Sequence, residues 1–143
     1  MTLVVDASVW VAAADATDHL AMVSRDFLTT ATRERVRIAV PAFAYVEVAC
    51  ALARRLRNAR TGRDLASAVV TSLASDVYPM DDELIADAAA VGTDGFLRAG
   101  DAIYVATTNR ADAMLISWDD ELLRRGGAAT PDTWLRDFAG RQR

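Results

Sequence analysis

The chain has 143 residues, 52% hydrophobic and 25% charged, with a formal net charge of −4, a balance that suits one globular domain over 1–143 and excludes a disordered or strongly basic protein. All 16 basic residues are arginine, which excludes a phosphate-loop lysine, a Schiff base and a lysine-assisted aspartyl-phosphate site. With one cysteine, Cys50, and one histidine, His19, neither an intrachain disulfide nor a Cys/His zinc site can be assembled.

Leu3-Val-Val5 is a run of consecutive branched residues, the pattern of a buried strand, and it stops on Asp6. Ligands of open α/β sheets collect beyond the carboxyl ends of the strands, so an acid there is placed for chemistry. Ser8 follows where a hydroxyl can cap a helix or help hold an ion. Residues 8–14 and then 18–32 read as helical, with Leu20, Val23, Phe27 and Leu28 at helix spacing, and 36–40 as a second strand. Pro41 is expected to open the next helix, through Glu47 to Leu52, and Gly62 to break it after the basic segment 54–60. A helix over 63–73, a strand over 77–80 and a helix from the acids 81–83 to about Val91 follow, with 92–95 as a loop. A helix to Arg110, a strand over 113–117, the segment 118–123, a turn at Gly126-Gly127, a short edge strand to Thr130 and a terminal helix over 131–138 complete the chain. Alternating strands and helices imply an α/β fold with a mostly parallel sheet. The N-terminus has no basic region, and the longest apolar run, 38–46, ends at Glu47, short of the roughly 20 residues a membrane helix needs. A soluble cytoplasmic protein without a membrane partner is expected.

Four carboxylates stand out. Glu47 has Phe43, Ala44, Cys50 and Ala51 as helical neighbours, so an acid projects from an apolar face, and an unpaired buried carboxylate costs several kcal/mol. Asp101, beside Leu97, Tyr104 and Val105, repeats that pattern, and Asp119, after the apolar run 114–117, repeats the logic of Asp6. Separately, Asp6 reads equally as a helix cap, Asp101 as a first-turn acid, Asp119 as a turn residue and Glu47 as the partner of an arginine such as Arg98. Jointly, one divalent cation accounts for all four, and oxygen ligands without imidazole or thiolate point to Mg2+ or Mn2+. Cys50 is expected to be a buried thiol, His19 a surface residue, and Trp10, Trp118 and Trp134 packing residues.

Val4-Val-Asp-Ala-Ser-Val-Trp10, the Glu47 helix, Leu97-Arg-Ala-Gly-Asp-Ala-Ile-Tyr-Val-Ala-Thr107 and Ile116-Ser-Trp-Asp-Asp-Glu-Leu122 together resemble, in order and spacing, a PIN domain of the small VapC-type toxins. The resemblance implies a three-layer α/β/α fold with a sheet of four to five strands. It matches Asp6, Glu47, Asp101 and Asp119 to the catalytic and metal-binding acids, with Asp120 as an alternative to Asp119. Ser8 and Ser117 match supporting hydroxyl positions. It further implies endoribonuclease cleavage of RNA assisted by Mg2+ or Mn2+, a cognate small antitoxin and a homodimer. A housekeeping RNA-processing nuclease and a non-catalytic PIN-like binding module are the alternatives. Of the arginines, Arg98 is placed to contact phosphate or neutralise the acids, and the run with Arg54 and Arg57 either binds RNA phosphates or forms a solvated face.

Overall fold

The computed structural model describes residues 1–72 and 74–141. In chain order it contains β1 (Thr2–Val5), α1 (Ala7–Ala14), α2 (Ala21–Arg33), β2 (Arg37–Pro41), α3 (Phe43–Leu56), α4 (Ala59–Thr71), β3 (Ser75–Tyr78), α5 (Asp82–Gly95), α6 (Ala99–Ala111), β4 (Met114–Ile116), α7 (Asp120–Arg125) and α8 (Pro131–Arg141). The four strands are all parallel, in the order β3-β2-β1-β4, between layers of helices. β1 is interior because its Leu3, Val4 and Val5 are apolar on both faces, as a strand covered from both sides requires. Beneath the helices, Phe27 of α2 meets Trp134 of α8 edge to face, and Trp134 stacks on Phe138. A smaller apolar cluster, Leu84, Ala88, Ala102 and Ala106, joins α5 to α6. Among the described residues no helix is long and apolar enough to cross a membrane.

Several element boundaries differ from expectation for local physical reasons. Pro41 closes β2 opposite Tyr78 and does not open α3. The pairing of β2 with β1 runs out at Val4↔Ala39, so a residue without an N–H leaves no gap in that ladder. β3 ends at Tyr78, before Pro79. Gly62 lies inside α4: α3 stops at Leu56, Arg57 turns the chain with φ 53°, and the Asn58 side chain caps α4 by accepting from Thr61 N–H at 3.0 Å. Of the expected helix over 63–73, Leu73 lies outside the described residues. α5 runs through Gly92 to Gly95, where a loop was expected, and ends at Phe96 with φ 52°. A Cβ on Gly92 would lie 2.8 Å from that of Ala102, so the missing side chain lets α5 approach α6. The expected edge strand before Thr130 is only a single parallel bridge, Ile116↔Ala129, because helix α8 begins at Pro131 immediately afterwards.

The role of Gly62 can be checked. A Cβ there would stand 2.6 Å from the carbonyl oxygen of Ala49 and 2.9 Å from the backbone nitrogen of Ala53, in the tight crossing of α3 and α4. Glycine to alanine within a helix ordinarily gains about 1 kcal/mol. A backbone clash outweighs that, so Gly62→Ala is expected to destabilise the protein by about 1–3 kcal/mol, read from the midpoint of urea unfolding. A midpoint at or above that of the wild type would contradict the close crossing.

Candidate active site

Parallel pairing of Val5 with Ile116 sets the ends of β1 and β4 side by side, and the residues that follow build the floor of a cleft. Asp6, only 4% exposed, caps α1, and its Oδ2 accepts from Ser8 N–H at 3.3 Å, Ser8 Oγ at 2.6 Å and Ser117 Oγ at 2.8 Å. Each hydroxyl also accepts from a backbone N–H, Ser8 Oγ from Trp118 at 3.0 Å and Ser117 Oγ from Asp119 at 2.9 Å. With those lone pairs engaged, both hydroxyl protons are directed at Asp6.

Asp119 caps α7 through Oδ1, which accepts from the N–H groups of Glu121 at 2.9 Å and Leu122 at 3.3 Å. Its Oδ2 receives Arg98 Nη2 at 2.7 Å. Asp101, 8% exposed, lies in the first turn of α6, and its Oδ2 accepts from Arg98 Nε at 2.8 Å. Arg98 Nε also stands 2.9 Å from Glu121 Oε2, so one guanidinium serves three carboxylates. Burial opposes ionisation of Asp119, yet Arg98 and the two α7 amides hold its carboxyl below the usual range. At Asp101 burial prevails over Arg98 and the pKa is raised.

Glu47 reaches the cleft from α3. Gly100 lies beside it: a Cβ there would be in ordinary van der Waals contact with Glu47 Oε1 at 3.6 Å and with the Phe43 ring at 3.4 Å. Burial lifts the Glu47 pKa, the nearby Tyr104 hydroxyl partly offsets this, and the charges of Asp6 and Asp101 add to the rise. Despite that proximity, Glu47 Oε2 and the Tyr104 hydroxyl are both buried without a well-formed hydrogen bond. Glu47 makes no ion pair with Arg98, contrary to one of its sequence readings, since Arg98 is engaged by Asp101, Asp119 and Glu121.

Asp6, Glu47, Asp101 and Asp119 therefore line one cleft of about 550 Å³, together with Ser8, Gly100, Arg54 and Arg98. Asp120 is exposed in the first turn of α7, which leaves Asp119 as the acid in the cleft. Ser117 is fully buried beneath it. The basic run divides. Arg54 lines the cleft, Arg55 pairs with Asp18 and Asp15, Arg60 pairs with Asp64, and Arg57 is exposed at the end of α3, outside the cleft lining. Cys50 is exposed on the cleft wall and not buried, because α3 buries the stripe Ala44, Val48 and Leu52. Sequence reasoning missed Gly100, the Tyr104 hydroxyl and Glu121. Only Gly100 carried a local signal, a glycine in the first helical turn directly before an acid. A larger groove of about 680 Å³ between α5 and α6 is lined by apolar and small residues, with no acid or base among the described residues that line it.

Among the described residues no three acids converge tightly enough to form a ready cation cage, and Arg98 lies between two of them. The donor set still fits a hard divalent cation: it is all oxygen, Glu47 Oε2 is buried and unpaired, and only Oδ2 of Asp6 is hydrogen-bonded.

A parallel sheet whose carboxyl edge opens on a cleft with four carboxylates defines an α/β domain of the carboxylate-site class. The chain belongs to the PIN domain family, whose profile matches residues 3–128. Its fold is also that of Mycobacterium tuberculosis VapC20, described as a sarcin-ricin loop cleaving toxin, with TM-score 0.71 and 17% identity over 82% of this chain and 90% of that one. VapBC2 from Rickettsia felis, bound to a DNA fragment from their promoter, gives 0.67 and 9% identity over 91% and 97%. A toxin–antitoxin complex from Klebsiella pneumoniae gives 0.61 and 16% identity over 90% and 97%. No curated protein sequence matches the chain.

Glu47 supplies a test by pH. It binds its proton more tightly folded than unfolded, so stability falls as pH rises from the ordinary value of 4.5 through the raised folded value, and is constant above that. In chelator, Glu47→Gln is therefore expected to be more stable than the wild type near neutral pH, with the gap closing as pH falls towards 4.5. Thermal unfolding across that range that shows no gap, or one of opposite sign, would contradict the buried, unpaired carboxylate.

Proposed function

We propose that this PIN domain, spanning 1–143, is a Mg2+- or Mn2+-dependent endoribonuclease and the cytoplasmic toxin of a VapBC-type pair, held in check by a small antitoxin and working as a homodimer. The observation that carries this reading is the gathering of Asp6, Glu47, Asp101 and Asp119 from four separate segments onto one cleft. The likeness of the fold to VapC20 and to toxin–antitoxin complexes supports it.

Asp6, Glu47 and Asp101 would hold the cation. When bound, a divalent cation lowers the pKa of a coordinated water and neutralises charge on a phosphate. Ser8 and Ser117 fix the orientation of Asp6 by donating to a single oxygen. Asp119, held ionised by Arg98 and the α7 amides, orients the water that attacks the phosphodiester. Arg54, on the cleft wall, receives an RNA phosphate.

Purified protein incubated with a panel of cellular RNAs is expected to yield products in Mg2+ or Mn2+ and none in chelator. Loss even of outer groups around a metal site costs about 10–100-fold, so Asp6→Asn and Asp101→Asn should each slow cleavage by about 100-fold or more. A folded Asp6→Asn that cuts at the wild-type rate would sink the proposal. On single-stranded RNA, Arg54→Ala should weaken binding and lower the salt slope by about 0.7, whereas Arg57→Ala should leave it unchanged. Equal effects at the two positions, measured by filter binding across salt concentrations, would remove Arg54 from the RNA path.

A further inference from the structure

We propose that Arg98 is a resident cation of the cleft, occupying the place of a second divalent ion, so that the site binds one metal ion and not two. The inference rests on the metal-dependent reading above and decides the stoichiometry of that same site.

Its basis is the set of contacts around Arg98. The guanidinium bridges Asp101 Oδ2 at 2.8 Å and Asp119 Oδ2 at 2.7 Å, and Glu121 Oε2 lies 2.9 Å from its Nε. Two-metal hydrolytic sites hold their ions about 3.5–4 Å apart around shared carboxylates. Here Asp101 is the shared carboxylate: it lies beside Asp6 and Glu47 in the cleft and is tied to Asp119 by the guanidinium. Arg98 provides a permanent positive charge, because guanidinium does not deprotonate at accessible pH, and its planar fork suits several carboxylates at once. It sits at the N-cap of α6, three residues before Asp101.

Charge counting agrees. Four carboxylates and two guanidiniums, those of Arg54 and Arg98, line the cleft, leaving two negative charges, as many as one divalent ion neutralises. Glu121 does not line the cleft and has a second arginine, Arg125, 3.6 Å from its other oxygen. A second divalent ion bound at Oδ2 of Asp101 and Oδ2 of Asp119 would have to displace Arg98 from both.

Calorimetric titration of the full chain with Mn2+ in the absence of RNA, with free Mn2+ counted by electron paramagnetic resonance, tests this without reference to cleavage. The wild type is expected to take up about one Mn2+ per chain, and Arg98→Met, which keeps the length of the side chain without its charge, about two. Two ions bound by the wild type, or one bound by a folded Arg98→Met, would overturn the assignment of Arg98 while leaving the nuclease reading intact. The wild-type measurement stands even if the variant does not fold. Failure of both proteins to bind Mn2+ would instead overturn the metal-dependent reading, and this inference with it.

Discussion

Bringing carboxylates together is costly: two like charges 4 Å apart near a protein surface repel by about 4 kcal/mol. The cleft brings in four, two of them nearly inaccessible to water, and much of the local structure compensates for that repulsion. Asp6 is relieved by two serine hydroxyls and a backbone amide, Asp119 by two amides and a guanidinium, and Asp101 by the same guanidinium. Glu47 is the exception, with one buried oxygen unpaired and a raised affinity for its proton. The most frustrated group in the site is thus the one with most to gain from an added cation.

The structural and chemical readings of these acids are not rivals. Asp6 caps α1, Asp119 caps α7 and Asp101 occupies the first turn of α6, all positions where unpaired amides and the helix dipole favour negative charge. Because strands in a parallel sheet share a direction, helices that directly follow or precede a strand, as α1 and α7 follow β1 and β4 and α6 precedes β4, start at the same edge. The fold therefore assembles several positive helix ends around one crevice, and acids needed for capping are already gathered where a metal and a phosphate would be handled.

Close approach of helices completes the arrangement. Gly62 lets α4 cross α3 at backbone contact, Gly92 draws α5 towards α6, and Gly100 lies against Glu47 and Phe43 at ordinary contact distance. None of the three needs a special backbone angle, and at Gly62 and Gly92 the missing side chain is what matters. That is why two of them were misread as helix breakers: spacing along one helix does not reveal what a neighbouring helix demands.

What the sequence determined by itself was local. An apolar run ending in Asp6, a second ending before Asp119 and two acids on apolar helical faces were legible because strand ends and helical faces follow from nearest neighbours, and the lack of lysine narrowed the chemistry. Where Pro41 falls, which arginine of the basic run enters the cleft, that Cys50 is exposed and that Arg98 serves three acids were decided by tertiary structure. Those outcomes depend on contacts between distant segments, such as Asp6 with Ser117, 111 residues apart, and Arg98 with Asp119, 21 apart. Periodicity says which face of an element turns inward, and only packing says what it meets there.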